Sequence, residues 1–170
     1  MKLIPAAEYS IRVITAPTPE LTPQSEIMVA GLPTGKVVAG AILRAALRWG
    51  EFVLLFLTDD VPFEGTLRMY LLDQDLTVVD SARMGAMYST GIFSALDLTE
   101  PNTVRFQFFD GVLWTLTLLS NEEFAIPIIS EPTSVSRPFK FFRRIRLAGK
   151  PLPKTSEVQC ENVRGSANQA

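Results

Sequence analysis

The chain contains no histidine and a single cysteine, Cys160. The first absence removes the side chain that titrates nearest neutrality, and with it the usual general base and the commonest metal ligand. The second excludes a disulfide framework. Long apolar runs are missing too. The longest stretch without a formal charge is the thirteen residues between Arg83 and Asp97, whereas a membrane-spanning helix needs about 20 consecutive apolar residues. Between Lys2 and Glu8 only Leu3 to Ala7 intervene, too few for the apolar region of a secretory signal, about 7 to 15 residues. The expectation is a cytoplasmic protein that does not engage a membrane, and an unpaired cysteine agrees with a reducing compartment.

What is present is enough to fold. Apolar residues make up 47% of the 170 positions and charged ones 20%, which excludes a disordered chain and suits one domain at about 150 residues per domain. A net charge of -2 gives the whole molecule no pull on nucleic acid, so none is expected as a partner.

Twelve prolines punctuate runs of Val, Ile, Leu, Phe and Thr, which is a strand pattern. Strands are expected at Tyr9 to Thr15, Phe52 to Leu57, Thr66 to Leu72, Leu76 to Ala82, Ile92 to Leu98, Thr103 to Phe108, Val112 to Leu119 and Phe139 to Leu147. Pro127 demotes Phe124 to Ile129 to an edge strand or an extended connection. Val37 to Trp49 reads as helix by its alanines and the Arg44/Arg48 spacing, or as strand by its alternation, with Gly50-Glu51 turning it into the next strand; strand is favoured.

Two registers can be proposed. A three-residue loop, Phe109-Asp110-Gly111, sets Phe106 opposite Trp114 and Val104 opposite Leu116, keeping both apolar faces together. Around Asp73-Gln74-Asp75, charge complementarity suggests Arg68 opposite Asp80 and Tyr70 opposite Val78 on an exposed face. The fold class that results is all-β, or β-rich α+β: an antiparallel meander of about seven to nine strands closed as a β-sandwich or flattened barrel, with at most one substantial helix. The domain would span 1–149, with a Pro-rich linker at 16–24 and a polar C-terminal tail at 150–170.

Chemistry is sparse. Gly31 to Lys36 has three residues between its glycines where a phosphate-binding loop needs four, with Val37 in place of the metal-binding hydroxyl. Ser89, in Met87-Tyr-Ser-Thr-Gly91, lacks the first glycine of a nucleophile elbow and any histidine to take its proton. Cys160 has no imidazole to activate it. Asp59, Asp60, Glu64, Asp73, Asp75 and Asp80 could hold a hard cation or form an acid/base pair, but their settings are ordinary turn chemistry. No cofactor, metal or catalytic residue is expected.

The unusual feature is charge segregation. Residues 1–50 carry five basic and three acidic groups, 51–123 three and twelve, and 124–170 eight and three, giving +2, -9 and +5. Arg137 to Lys154 holds seven basic residues and no acidic one. Alternation from Phe139 to Leu147 puts Phe139, Phe141, Ile145 and Leu147 on one face, Lys140, Arg144 and Arg146 on the other, Phe142 among the basic residues and Arg143 on the greasy side. Such a strand can protect a sheet edge or complement the acidic middle of its own chain, bind an anion, or dock a protein.

The function expected is a non-catalytic protein-binding module, for instance an inhibitor or immunity-type protein, docking by charge complementarity. Its contact residues would be Arg137, Lys140, Phe142, Arg144 and Arg146, or the acidic set Asp59, Asp60, Glu64, Asp73 and Asp75. The alternatives are a small-molecule carrier with a cavity lined by Phe106, Phe108, Trp114, Leu116 and Phe141, and, last, a carboxylate and metal enzyme.

Overall fold

A computed structural model describes residues 1–18, 21–61, 65–85, 91–109, 112–126, 132 and 134–151. Among these the chain is all-β, with no helix. Its strands are β1 (Lys2–Leu3), β2 (Tyr9–Thr15), β3 (Gln24–Val29), β4 (Leu32–Ala39), β5 (Ile42–Trp49), β6 (Phe52–Thr58) and β7 (Thr66–Leu72). There follow β8 (Val78–Gly85), β9 (Ser94–Asp97), β10 (Thr103–Gln107), β11 (Val112–Phe124), β12 (Val135–Ser136) and β13 (Phe142–Pro151). They form three antiparallel sheets, ordered β1-β5-β6-β7-β8-β12, β13-β11-β10-β9 and β2-β3-β4, none closed into a barrel. The described strands thus number thirteen, more than the seven to nine that the proline spacing suggests.

The centre of the six-stranded sheet is buried on both faces, and β6 shows why. Its sequence, Phe-Val-Leu-Leu-Phe-Leu-Thr, has no polar alternation, so each face must meet an apolar partner. Leu54 and Phe56 join Leu47, Met69, Leu71 and Met84 against Val104, Phe106, Trp114, Leu116, Ile145 and Leu147 of the four-stranded sheet. Val53, Leu55 and Leu57 face the other way, with Ala46 and Leu72, onto Tyr9, Ile27 and Val38 of the three-stranded sheet. Two cores therefore share one sheet. No residue of β8 belongs to the second core, so that face loses its apolar cover toward β8 and β12.

The β10/β11 ladder pairs Phe106 with Trp114 and Val104 with Leu116, as the face-matching argument requires. The β7/β8 ladder differs from expectation. Arg68 faces Arg83, Tyr70 faces Ser81 and Leu71 faces Asp80, a slip of three residues that places Ala82 and Met84 in the same core as Met69 and Leu71. Burial of that apolar set outweighs a surface charge pair, worth about 0 to 1 kcal/mol. The loop adapts accordingly: Oδ1 of Asp73 accepts from the amides of Asp75 at 3.0 Å and Thr77 at 2.8 Å, and Leu76 takes a left-handed φ of 57°.

Val37 to Trp49 is strand, divided between β4 and β5. Gly40 at φ 128° makes the break, where a Cβ would stand 2.7 Å from that of Leu57. A bulge at Arg44 then reverses the alternation, because Leu43 pairs with Leu57 but Ala45 with Phe56. Gly50-Glu51 makes the expected turn, Trp49 lying opposite Phe52. The described residues of the 16–24 segment lie between β2 and β3. β2 and β3 pair antiparallel, with Thr15 opposite Gln24, and the Leu21 amide donates to the Thr18 carbonyl at 3.3 Å. Lys150 and Pro151 belong to β13, opposite Leu113 and Val112, rather than to a tail; 152–170, with Cys160, lie outside the described residues, as does Ser89. No helix among the described residues is long and apolar enough to cross a membrane.

Candidate functional site

Where β8, β12 and β13 converge, the edge of the central sheet meets the edge of the four-stranded one. Asp80 of β8 ties them together. Its Oδ2 accepts from the amides of Arg144 at 2.7 Å and Ile145 at 2.8 Å, and its Oδ1 accepts from the Ser81 amide at 2.7 Å. Arg137, just past β12, stands 3.5 Å from Asp80 Oδ1 and donates to the Ile145 carbonyl at 2.9 Å. Carboxylate and guanidinium thus grip one stretch of β13 by its donors and its acceptor. Both side chains are nearly buried, at 7% and 10% exposed.

This seam accounts for much of the basic segment. Arg144 fills a wide bulge, where β11 spends Leu119 to Glu122 against one residue of β13. Its Nη1 donates to the Ser120 carbonyl at 2.9 Å, its Nε lies 3.6 Å from Glu122, and the guanidinium sits 5.3 Å above the Phe52 ring. Arg146 pairs with Glu123. Both cations therefore meet carboxylates from the acidic middle of their own chain.

The acidic candidates are scattered. Asp59 is buried and holds Arg68 by two hydrogen bonds, 2.7 and 2.8 Å. Burial weighs against the Arg68 charge, but Asp59 more than offsets it and the pKa is raised. Burial also pushes the neighbouring Tyr70 phenol up, and its hydroxyl donates to the Ala39 carbonyl at 3.0 Å. Asp60 is exposed at φ 57°, Asp73 and Asp75 shape the β7/β8 loop, and Glu64 lies outside the described residues. No three Asp, Glu or Cys residues among those described are grouped as metal ligands would be.

The aromatic candidates separate equally clearly. Phe106, Phe108, Trp114 and Leu116 are packed in the first core, whereas Phe141, the fifth residue of the carrier reading, is 49% exposed. Phe139 and Phe141 are not on an inward face, and neither is Phe142. Pairing in β13 starts only at Phe142, opposite Phe124, and the preceding segment crosses from one sheet to the other with its side chains outward. Phe124, Ile126, Phe139, Phe141 and Phe142 are 49–72% exposed. Phe124 stacks on Phe141 with centroids 6.1 Å apart, and Phe139 meets Phe141 edge-on at 5.3 Å. Lys140, exposed as well, lies among them.

Beside this shelf is a hollow of about 600 Å³, walled by Phe139, Phe142, Ile126 and Val135 on its apolar side and by Arg137, Lys140 and Arg143 on its basic side. A shallower one of about 320 Å³ adjoins it, lined by Arg68, Tyr70 and Arg83; Ser81, Ser136, Arg137 and Pro138 belong to both. Sequence reasoning named Arg137, Lys140 and Phe142 but missed Arg83, Phe124 and Ile126 as surface and took Asp80 for an exposed residue. The uninterrupted Phe-Lys-Phe-Phe of 139–142 was the available signal. No protein-family model, no characterised protein and no solved structure matches this chain.

Proposed function

We propose that the protein is a non-catalytic binding module of the cytoplasm, of the inhibitor or immunity kind, that docks a protein partner on the Phe124/Phe139/Phe141 shelf. The observation that carries this reading is the shelf itself. Scattered apolar side chains are normal on a protein surface, whereas contiguous ones mark interaction sites. Aromatic residues and arginine are also the types that anchor interfaces. Lys140 and Arg143 line the hollow beside the rings, so the partner surface that fits is apolar at its centre and acidic at its rim, and the charges contribute mainly to encounter rate and selectivity. Because Arg144, Arg146 and Asp59 are engaged within the chain, charge alone is a weaker basis for docking than the rings.

The test is capture from native cell extract at low salt with the full chain as bait. The wild type should retain a stoichiometric partner that high salt weakens, and Phe124→Ser/Phe141→Ser should lose it. Identical captures by both baits, or chaperones alone, would contradict the reading.

A further inference from the structure

The two adjoining hollows form one groove, and we propose that it binds a soluble amphiphilic organic anion, a carboxylate or phosphate head on an apolar chain or ring. One ladder position in its wall is unfavourable by itself. Arg68 and Arg83 are cross-strand neighbours, and like charges directly opposite destabilise a sheet. Asp59 neutralises Arg68. Arg83 is exposed and has no carboxylate partner among the described residues. A ligand anion at this point would relieve the repulsion.

The rest of the groove has the same sign. Among its described walls Arg83 and Lys140 are the cations offered to this head group, Arg68 being held by Asp59 and Arg137 by the one described carboxylate of the lining, Asp80. That carboxylate already accepts three backbone amides. The Ser81 and Ser136 hydroxyls lie between the cations and can donate to the same head group. Toward the shelf the lining turns apolar, with Ile126, Val135, Phe139 and Phe142, so a purely inorganic anion would leave that wall wet. About 600 Å³ in the larger part lies within the range of small-molecule sites, about 300 to 1,000 Å³. The -9 charge of residues 51–123 repels a polyanion reaching beyond the groove but not a compact one.

The groove shares Phe139 and Lys140 with the docking face, but Phe124 and Phe141 do not line it, so substituting those two rings separates the two sites. The probe is sodium dodecanoate below its micellar concentration, titrated into the isotope-labelled full chain and followed by amide shifts. One saturable site should perturb Ser81, Ser136, Lys140 and Phe142. Arg83→Gln and Lys140→Gln should each weaken binding about tenfold, the loss of one charge-assisted contact, with neither unfolding midpoint lowered. Phe124→Ser/Phe141→Ser should bind dodecanoate as the wild type does, even where partner capture fails. Equal binding of dodecyltrimethylammonium, absence of saturation, or binding only to phosphatidylglycerol vesicles would overturn the proposal.

Discussion

Phenylalanine meets two fates in this molecule. Phe56, Phe106 and Phe108 are sealed between two sheets at no more than 2% exposure, while Phe124, Phe139, Phe141 and Phe142 stand 49–72% exposed. Burying such a ring contributes about 1.5 to 3 kcal/mol. The core rings realise that energy; the shelf rings leave most of it unrealised. On the proposed function, the partner is what would cover the shelf rings and realise the rest.

That contrast can be broken experimentally. Phe106→Ala should cost about 3 to 5 kcal/mol in urea unfolding, and Phe139→Ala should fall within about 0.5 kcal/mol of the wild type. Comparable losses at both positions would erase the distinction.

The seam between the two regions should respond like core. Asp80→Ala removes the acceptor for Arg144 and Ile145 and leaves Arg137 without that carboxylate. Loss of one partner of a buried pair costs about 3 kcal/mol or more, and the amides of residues 144 and 145 should exchange faster than in the wild type. A smaller effect is expected at the second core. Gly40→Ala would force a Cβ to 2.7 Å from Leu57 at a φ of 128°, costing about 1 to 3 kcal/mol by unfolding midpoint.

The smallest effect concerns charge. The amide of Gly35, at 2.8 Å, and the Arg12 guanidinium hold Glu26 below its ordinary carboxylate value. A depressed folded pKa means the ionised form favours the native state. Its stabilisation is therefore present above the ordinary value and lost as pH falls through the folded one. Glu26→Gln should be less stable than wild type at neutral pH, with the gap closing under acid; a constant gap would contradict the assignment.

How much of this was legible in sequence depended on whether apolar residues or charges decided the matter. The register at Phe106 and Trp114 could be read because both strands alternate cleanly and their greasy faces must coincide. The β7/β8 register departs from the charge pattern: Arg68 and Asp80 suggest a pair, but the slip that buries Ala82 and Met84 also sends Asp80 inward. β3 carries Gln-Ser-Glu in its first half, and β4 holds a proline and a glycine, so neither announced itself. The seam joins Asp80 to residues 64 and 65 positions away, beyond any local pattern. The shelf escaped because alternation extended β13 backward to Phe139, whereas pairing begins three residues later, at Phe142.

The most direct measurement compares urea unfolding and partner capture for the Phe124→Ser/Phe141→Ser chain. An unfolding midpoint close to that of the wild type, together with loss of the captured partner, is the result expected of rings kept outside for binding. A fall in midpoint like that of Phe106→Ala, or capture undiminished, would mean the shelf belongs to the fold and not to a partner.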